Sequence, residues 1–391
     1  MLKQKNKNNF NRKIKVMHVV SRLETGGLEN GVINICNNLD REQFVPMICC
    51  LKGFGFIAHR LKPDVQVYNL NYPEGKDFLR PFKLACFFRK INPDIVHTHA
   101  WGQGSFGGIL GSYFCGVPTV INGEHGGFFT NKYRIFIQRF LAKICDITLS
   151  VSEGLKNEVN ANLRIPLKRI IVIRNGVDVI KFHGRYNTSG LKDEIRVKHG
   201  IDIKVDDFII GCVGSLKPQK NQEMLLRVIA KIKQKGVQRR IIVILAGSGN
   251  QMDKLKKFAT EHGIEQQVVF LGERKDVAEI ISLLDIFVST SLVGNEGLSN
   301  VILEAMSSGK VVIATKSLGT EEIITDSKNG FLINSNDDVA LIRLISSLMC
   351  DFNSLKIIGR SAQIFIRNEY SLNIMLSNYE KLYSRFNHLR G

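Results

Sequence analysis

The chain alternates short runs of β-branched and other apolar residues with longer segments in which apolar residues recur at helical spacing. The short runs predict strands, in one series of Lys15–Val20, Val45–Cys50, Ile95–Thr98, Thr119–Asn122 and Thr148–Val151. A second series is Phe208–Val213, Ile241–Ala246, Val268–Leu271, Ile286–Thr290 and Val311–Thr315. The helical patterns include Leu28–Leu39, Gln222–Gln234, Val301–Ser308 and Leu372–Asn387. Strand–helix alternation of this kind predicts an α/β protein with two doubly wound domains, each a parallel sheet covered by helices on both faces.

The length of the chain supports the same division, because 391 residues are many for one core. We predict a basic tail over 1–13, a first domain over 14–180 and a second domain over 207–370. The segment 181–206 between them is polar, charged and spotted with glycine, which is typical of a linker or a surface excursion. A C-terminal helical segment, 371–391, follows the second domain.

The composition is that of a globular protein, with 44% hydrophobic and 23% charged residues. The eight cysteines show no C-x-x-C spacing, so neither a zinc site nor a thioredoxin-like motif is indicated, and reduced thiols in a cytosolic protein are expected. The N-terminus is basic but lacks the apolar region of a signal peptide. No apolar run is long enough to predict a membrane span.

The net charge of +18 indicates anionic partners: nucleic acid, phosphorylated small molecules or an anionic lipid surface. We find no nucleic-acid-binding signature, so nucleic acid is not expected as a partner. Two segments, Phe78–Lys90 and Asn131–Cys145, mix basic with large apolar residues. They are either basic amphipathic helices that lie on anionic lipid, or helices whose apolar residues face the core while the bases stay solvated.

Two loops of the second domain predict a site for a diphosphate. The segment "VGSLKPQKN" follows the first strand of that domain, so Lys217 and Lys220 lie at the edge of the sheet where α/β proteins bind ligands. The segment "EGLSNVILEAM" follows another strand and opens a helix with Ser299 and Asn300, which are helix-capping residue types. The N-terminus of a helix attracts anions, so both loops favour a phosphorylated ligand.

Two glutamates flank this helix start, although a carboxylate repels phosphate. A carboxylate is also a good acceptor for hydroxyl groups, which are abundant on ribose and on a hexose. Glu304 lies about a turn inside the helix and can reach a ribose, whereas Glu296 precedes the helix and can contact the group beyond the second phosphate. The pair therefore indicates a nucleoside diphosphate sugar.

Several motifs in this order resemble those of retaining glycosyltransferases with the GT-B fold, in glycosyltransferase family four. They are "HVVSRLETGGLENGVINI", "INGEHGG", "VIRNGVD", "VGSLKPQKN", "LGERKDVAEII" and "GLSNVILEAMSSGKVVIAT". The resemblance implies two Rossmann-like domains, a first for the acceptor and a second for the nucleotide sugar, with a C-terminal helix that can pack back on the first domain. The forms "GGLENGV", "PEGKD" and "GEHG" resemble a subgroup associated with exopolysaccharide sugar transfer.

The resemblance also implies residue roles. The catalytic residues would be Glu296, at the transferred sugar, and His125, near the reacting carbon. The implied donor-binding residues are Gly26, Gly27, Lys217, Lys220, Glu273, Arg274, Leu298, Ser299, Asn300, Val301 and Glu304. His125 could instead be a structural histidine, and Glu124 could be exposed or hydrogen-bonded to His125.

One position departs from the family pattern. Ser215 stands where the family usually has an arginine that pairs with the lysine on the diphosphate, and Lys217 could supply the missing charge. A lysine lacks the bidentate geometry of arginine, so the exchange would not be neutral. No DxD-like metal motif is present, and we expect no metal or other cofactor.

These observations predict the transfer of a hexose or N-acetylhexosamine from a nucleoside diphosphate sugar, with UDP as the expected nucleotide and with retention of configuration. The acceptor would be a lipid-linked saccharide or polysaccharide in cell-surface polysaccharide synthesis, and the enzyme would lie in the cytoplasm, peripheral on the inner face of the membrane. A nucleotide-sugar epimerase on the same fold is one alternative. A basic polyanion-binding or nucleic-acid-binding protein, indicated by charge alone, is the other.

Overall fold

The computed structural model describes residues 12–24, 26–75, 77–100, 103–126, 131–184, 186–236, 239–292 and 297–386. The chain divides into two compact units, Met1–Asn175 with Asn373–Gly391, and Gly176–Leu372. Each unit contains one parallel sheet with helices packed against it. The predicted architecture of two doubly wound α/β domains is therefore confirmed.

The first sheet has seven strands in the order β3-β2-β1-β4-β5-β6-β7, all parallel. The strands are β1 Ile14–Val20, β2 Phe44–Cys50, β3 Gln66–Asn69, β4 Ile95–His99, β5 Thr119–Glu124, β6 Ile147–Ser150 and β7 Ile170–Val172. The helices of this unit are α1 Gly27–Asn38, α2 Arg80–Ile91, α3 Gln103–Cys115, α4 Lys132–Ile144, α5 Glu153–Leu163 and, after the second unit, α15 Leu372–Arg385.

The second sheet has six strands in the order β10-β9-β8-β11-β12-β13, also all parallel. The strands are β8 Phe208–Val213, β9 Ile241–Ala246, β10 Val268–Gly272, β11 Ile286–Ser289, β12 Val311–Thr315 and β13 Phe331–Ile333. Its helices are α6 Val179–His183, α7 Ser189–His199, α8 Gln222–Gln234, α9 Met252–Glu261, α10 Val277–Leu283, α11 Asn300–Ser307, α12 Thr320–Ile323, α13 Asp338–Cys350 and α14 Phe352–Glu369.

The predicted strands all form, with ends that differ by two residues at most. The strand-like run that ends at Arg174 forms β7. Strands β3 and β13 were not predicted, because each is short and largely half-buried and therefore carries a weak apolar signal. The segment 181–206 differs from the predicted linker, since it contains the end of α6 and the whole of α7 and belongs to the second unit. Leu191 and Ile195, one helical turn apart on α7, are buried and anchor this segment.

The C-terminal helix α15 packs on the first sheet, as expected. Tyr383 is fully buried, contacts the ring of Phe44 and hydrogen-bonds through its hydroxyl to His97 Nδ1 at 2.8 Å. Glu380 accepts a hydrogen bond from the backbone N–H of Asp40 at 3.0 Å. The last helix of the chain therefore completes the core of the first unit.

The eight cysteines are all free thiols, as the sequence predicts for a reduced protein. Cys36, Cys49, Cys50, Cys145 and Cys212 are buried. None of the described helices combines the length and the apolar character needed to cross a membrane.

Close packing between α2 and α3 depends on glycine. A Cβ atom at Gly111 would lie 2.9 Å from Leu84 Cβ and 3.0 Å from the carbonyl oxygen of Pro81, which leaves no room for a side chain. By contrast, Gly31 in α1 has nothing within 4 Å of the position its Cβ would take. The two glycines therefore form a matched pair, one required by packing and one not.

We expect Gly111→Ala to lower the free energy of unfolding of the first unit by about 1–3 kcal/mol, because the added methyl group overlaps the backbone of α2. Gly31→Ala should be neutral or stabilise by about 0.5–1 kcal/mol, since alanine favours a helix interior. Urea unfolding followed by the fluorescence of Trp101, the single tryptophan, measures both. Equal stability of the two variants would contradict the close-packing argument.

Candidate active site

The order of strands in the second sheet places two loops side by side. Strand β8 lies between β9 and β11, and the chain connections leave it in opposite directions there. In open α/β sheets, ligands bind beyond the carboxyl ends of the strands at such a reversal. The loops that follow β8 and β11 are those predicted to hold the diphosphate.

The loop after β8 is fixed to the end of β11 by hydrogen bonds. The Thr290 hydroxyl donates to the backbone oxygens of Lys220, at 3.1 Å, and Asn221, at 2.9 Å. The backbone N–H of Leu292 donates to Gln219 O at 2.8 Å. Thr290, which the sequence analysis did not single out, therefore holds the lysine loop against the neighbouring strand.

Lys220 is the more buried of the two lysines in this loop, whereas Lys217 is exposed. Burial lowers the pKa of Lys220, and the positive charge of Lys217 acts in the same direction, while Cys212 opposes the shift. A half-buried ammonium group with a second cation nearby is stabilised by a bound anion. Ser215 lies earlier in the same loop, where its carbonyl oxygen accepts from Gln222 Nε2 at 3.1 Å.

Helix α11 begins at Asn300, with Ser299 as the N-cap residue, one residue before the predicted start at Val301. The Ser299 side chain makes no capping hydrogen bond, so this hydroxyl is not used in the way that the capping pattern predicts. Glu304 lies about one turn into the helix and is half-buried, while Leu298 is buried just before it.

The loop before α11 lies directly on the loop after β12. A Cβ atom at Gly319 would lie 1.6 Å from the carbonyl oxygen of Gly297 and 2.9 Å from Leu298 Cα. Gly319 therefore permits this contact, and the sequence analysis did not identify it. The predicted catalytic residue Glu296 lies outside the described residues.

The loop with the predicted donor-binding residues Glu273 and Arg274 follows β10. Arg274 donates two hydrogen bonds to the carboxylate of Glu194, at 2.7 and 3.0 Å, and pairs with Asp276. These bonds hold the pKa of Glu194 at about 2. Within the protein, Arg274 thus connects this loop to α7, and its contact with the donor stays a prediction, as does that of the exposed Glu273.

In the first unit, Gly26 is the N-cap residue and Gly27 the first residue of α1, the helix that follows β1. A Cβ atom at Gly26 would overlap the carboxylate of Glu29, which reaches back toward the helix start. The glycine therefore lets the Glu29 carboxylate approach the backbone. Strand β1 lies beside β4, where the connections of the first sheet reverse, so this helix start is at the ligand edge of its own sheet.

His125 and Glu124 follow one another at the end of β5. His125 is half-buried, and burial lowers its pKa to about 4, so the ring is neutral near pH 7. Glu124 is buried, which excludes the predicted exposed position, and burial raises its pKa to about 8. One of its carboxyl oxygens accepts a hydrogen bond from the backbone N–H of Gly126 at 3.3 Å. This bond and one with the backbone of His125 lower the pKa of Glu124, but the effect of burial is larger.

Three further histidines, His18, His97 and His99, lie beside His125, and we call these four side chains the histidine cluster. His18 and His97 are opposite each other on β1 and β4, and His97 and His99 stack with ring centroids 4.1 Å apart. His99 bonds His125 and His18 through its two nitrogens, at 3.3 and 2.9 Å. The "HTH" spacing on a strand could have indicated two histidines on one face, but the sequence analysis did not use it.

The nitrogens of His18, His97 and His99 lie within 4.8 Å of one another, close enough for a metal ion to draw them together. In this structure, ring-to-ring and ring-to-tyrosine hydrogen bonds occupy four of the six nitrogens of these rings. The arrangement is that of a hydrogen-bonded network. The expectation that no metal is required stays an expectation.

Comparison with known proteins agrees with the fold and the motifs. The family model Glycosyltransferase Family 4 matches residues 25–181, and Glycosyl transferases group 1 matches residues 192–364. The chain is 28% identical over 385 residues to the Escherichia coli UDP-Gal:alpha-D-GlcNAc-diphosphoundecaprenol alpha-1,3-galactosyltransferase, which covers 95% of this chain and 97% of the relative.

Two solved structures share the whole fold. A glycosyltransferase from Rickettsia africae superposes with a TM-score of 0.82 at 21% identity, covering 96% of this chain and 99% of that one. HepE from Anabaena, in complex with UDP and glucose, superposes with a TM-score of 0.80 at 20% identity, covering 95% and 100%.

Two doubly wound parallel-sheet domains, with a lysine loop and a helix start at the ligand edge of the second, define a glycosyltransferase with the GT-B fold. The chain belongs to glycosyltransferase family four. A nucleotide sugar is the donor that this class uses, and the interpretation as a nucleic-acid-binding protein is set aside.

Burial makes the stability of the first unit depend on pH. The pKa values of all four histidines in the cluster are lowered by burial, to about 3 for His18 and about 4 for His125. Below about pH 6.5 the unfolded chain binds protons at these rings and the folded chain does not, so the free energy of unfolding falls as pH decreases. Three carboxyl groups of the first unit act oppositely, because burial raises the pKa values of Glu29, Glu124 and Glu158, but they are three groups against four.

We therefore expect the free energy of unfolding of the first unit to be lower at about pH 5 than at about pH 7. His18→Gln should reduce this pH dependence, because it removes one ring that takes up a proton on unfolding. His262→Gln, at an exposed ring on the second unit, is the control and should leave it unchanged. Urea titrations followed by Trp101 fluorescence give the values, and an unaltered slope in His18→Gln would contradict the prediction.

Proposed function

We propose that this glycosyltransferase moves a hexose or an N-acetylhexosamine from a UDP-sugar, with retention of configuration, to a lipid-linked saccharide used in cell-surface polysaccharide synthesis. The observation that carries the proposal is the attachment of the Lys220 loop to the end of β11, the strand that precedes α11, at the strand reversal of the second sheet. Both features favour a diphosphate, and both lie where such sheets bind ligands.

The proposed chemistry is the departure of the nucleoside diphosphate and attack by an acceptor hydroxyl from the same face of the sugar. Positive charge develops on the sugar ring as negative charge develops on the diphosphate. Lys220 and the N–H groups at the start of α11 stabilise the leaving diphosphate. Glu304 accepts hydrogen bonds from the ribose, and Glu296 and His125 contact the transferred sugar. We assign no covalent nucleophile.

The names of the relatives support the choice of donor and acceptor. HepE is solved with UDP and glucose, and the Escherichia coli relative is named for a UDP-galactose donor and a diphosphoundecaprenol-linked acceptor. We propose UDP as the nucleotide on this basis. An acceptor carried by a polyprenyl diphosphate requires the enzyme to work at a bilayer surface.

The first unit exposes aromatic side chains on the two helices for which the sequence left two alternatives open. On α2 and just before it, Phe78 is 81% exposed and Phe82 is 57% exposed, and Phe82 stacks on Phe114 of α3. On α4, Phe136 is 71% exposed and Phe140 is 56% exposed. Exposed aromatic rings in this number are unusual for a surface that contacts water alone.

The same helices also contribute to the core and carry exposed bases. Leu84 and Phe88 of α2 and Leu141 of α4 are buried. The exposed bases are Lys83, Arg89, Lys90, Lys132, Arg134 and Lys143. Aromatic rings beside lysine and arginine are suited to an anionic bilayer surface, with the rings in the interface and the cations near the headgroups. We therefore propose that these helices hold the enzyme on the inner face of the membrane.

The donor site is tested by variants in the full chain. Lys220→Ala should weaken the binding of UDP by about 1.5–3 kcal/mol, the range for a charge-assisted hydrogen bond. Glu304→Gln should weaken uridine as well as UDP, because it acts on the ribose. Lys257→Ala, at an exposed lysine of α9, is the control. Calorimetry with equal affinities for Lys220→Ala and the control would refute the site.

The reaction itself is tested by mass spectrometry, with a panel of nucleotide sugars and a lipid extract. Sugar transfer that is lost in Glu296→Ala and His125→Ala, with little change in UDP affinity, is the expected result. A changed sugar formed without any acceptor would indicate the epimerase alternative.

Ser215→Arg tests the position at which this chain has serine and the family usually has arginine. Higher donor affinity would show that the serine weakens the site, and lower affinity would show that Lys217 has taken over the charge.

The membrane proposal predicts binding to vesicles that contain anionic phospholipid, and weaker binding to neutral vesicles or at high salt. Phe136→Ser and Phe140→Ser should weaken this binding, because both remove exposed apolar area. Val205→Ser, at a 95% exposed residue of the second unit, is the matched control. Sedimentation that is indifferent to lipid charge, or equal for all three variants, would leave these rings without a role in membrane binding.

A further inference from the structure

The histidine cluster contains a chain of hydrogen bonds that ends at His125. His125 Nε2 lies 3.3 Å from His99 Nδ1, and His99 Nε2 lies 2.9 Å from His18 Nδ1. Each of these nitrogen pairs is a hydrogen bond only if one nitrogen carries a proton and the other does not. The position of the proton on one ring therefore determines its position on the other two.

Neutral rings leave two possible arrangements. A neutral imidazole carries one N–H, so a ring that donates through one nitrogen accepts through the other. Either all three rings carry the proton on Nδ1, or all three carry it on Nε2. In the first arrangement the direction of donation is His18 to His99 to His125, and in the second it is the reverse.

The far end of the chain favours the first arrangement. His18 is completely buried, and its Nε2 has no hydrogen-bond partner among the described residues. The Nε2–H arrangement would leave a buried N–H without an acceptor, whereas the Nδ1–H arrangement leaves a bare lone pair. Buried N–H groups without a partner are the rarer case in proteins, which reflects their cost.

The surrounding packing keeps the rings in place. Gly123 lies on β5 opposite His99, and a Cβ atom there would lie 3.1 Å from His97 Nε2 and 3.2 Å from His125 Nε2. The absent side chain thus makes room for the cluster. On the other side, His97 stacks on His99 and bonds the Tyr383 hydroxyl of α15. His97 and Tyr383 pack against the His18–His99–His125 hydrogen bonds without taking part in them.

We propose that His18 and His99 are positioning residues that hold His125 as the neutral Nδ1–H tautomer. His125 Nε2 then accepts the hydrogen bond from His99, and Nδ1–H is the group that His125 can offer to a ligand. His125 consequently acts as a hydrogen-bond donor and not as a general base. The step from tautomer to reaction rests on the proposed function, because that function places His125 at the transferred sugar.

The tautomers can be measured directly in the wild-type full chain. Two-bond ¹H–¹⁵N correlation spectra of ¹⁵N-histidine-labelled protein distinguish Nδ1–H, Nε2–H and doubly protonated rings. The expected result is the Nδ1–H pattern for His18, His99 and His125 near neutral pH. An Nε2–H or a charged His125 would overturn the proposal, and so would nitrogen shifts that change when a strong chelator removes a bound metal ion.

Variants of His99 separate positioning from packing. An asparagine amide can take the place of imidazole Nδ1, and a glutamine amide that of Nε2. His99→Asn keeps a donor toward His125 Nε2, whereas His99→Gln keeps only the contact with His18. We expect His125 to stay Nδ1–H in His99→Asn and to become a tautomer mixture in His99→Gln. Tyr383→Phe is the control, since it removes the bond to His97 and leaves the chain intact.

The variants His99→Asn and His99→Gln also differ in their expected kinetics. We expect kcat of His99→Gln to fall about tenfold or more below that of His99→Asn, with equal affinity for UDP, because a misaligned group acts on the reaction step. Equal kcat values in two variants with different tautomers would overturn the role of His99 in the reaction. If wild-type protein transfers no sugar, the proposed function fails, while the spectra still decide the tautomer.

Discussion

Parallel pairing of all the strands in both sheets is the constraint on which the rest of the structure depends. It makes every strand of a sheet end at the same edge, so residues distant in sequence meet there without a dedicated binding element. Lys220 lies in the loop after β8 and Asn300 begins α11 after β11, and these two strands lie side by side. The same rule brings the start of α1 and His125 to the ligand edge of the first sheet.

The two sheets differ in the kind of side chain that they bury. The core around the second sheet is apolar, as expected for strands covered on both faces. The first sheet buries the rings of His18, His97 and His99 beside the half-buried His125, which is tolerable because the rings are neutral and bond one another and Tyr383. In the second unit, Lys220 is a half-buried charge in the loop after β8, where a bound anion can compensate it.

Helices α2 and α4 contribute to the core of the first unit and also expose aromatic rings. One face covers the sheet through residues such as Leu84 and Leu141, while Phe82 and Phe136 point outward beside exposed bases. The two alternatives that the sequence left open for these helices are therefore not exclusive. A helix in a doubly wound fold needs one apolar face for the sheet, and apolar residues beyond that face are available for another surface.

The local pattern of apolar and polar residues was sufficient to predict the fold class and ten of the strands. Strands buried on both faces are almost continuous apolar runs, and Phe208–Val213 and Ile241–Ala246 were predicted without error. Short half-buried strands such as Phe331–Ile333 were missed, because their signal is too weak to separate from a loop. The residues around Lys220 and Glu304 were identified by their place after strands and by family resemblance.

Contacts between distant segments were decided by tertiary structure alone. The hydroxyl of Thr290 on the lysine loop, the contact of Gly319 with the loop before α11 and the bond between Tyr383 and His97 join positions with no local relation in sequence. The histidine network is of the same kind, since His18 and His99 lie on neighbouring strands that only the sheet brings together. A sequence records which groups are available; the register of the strands determines which of them touch.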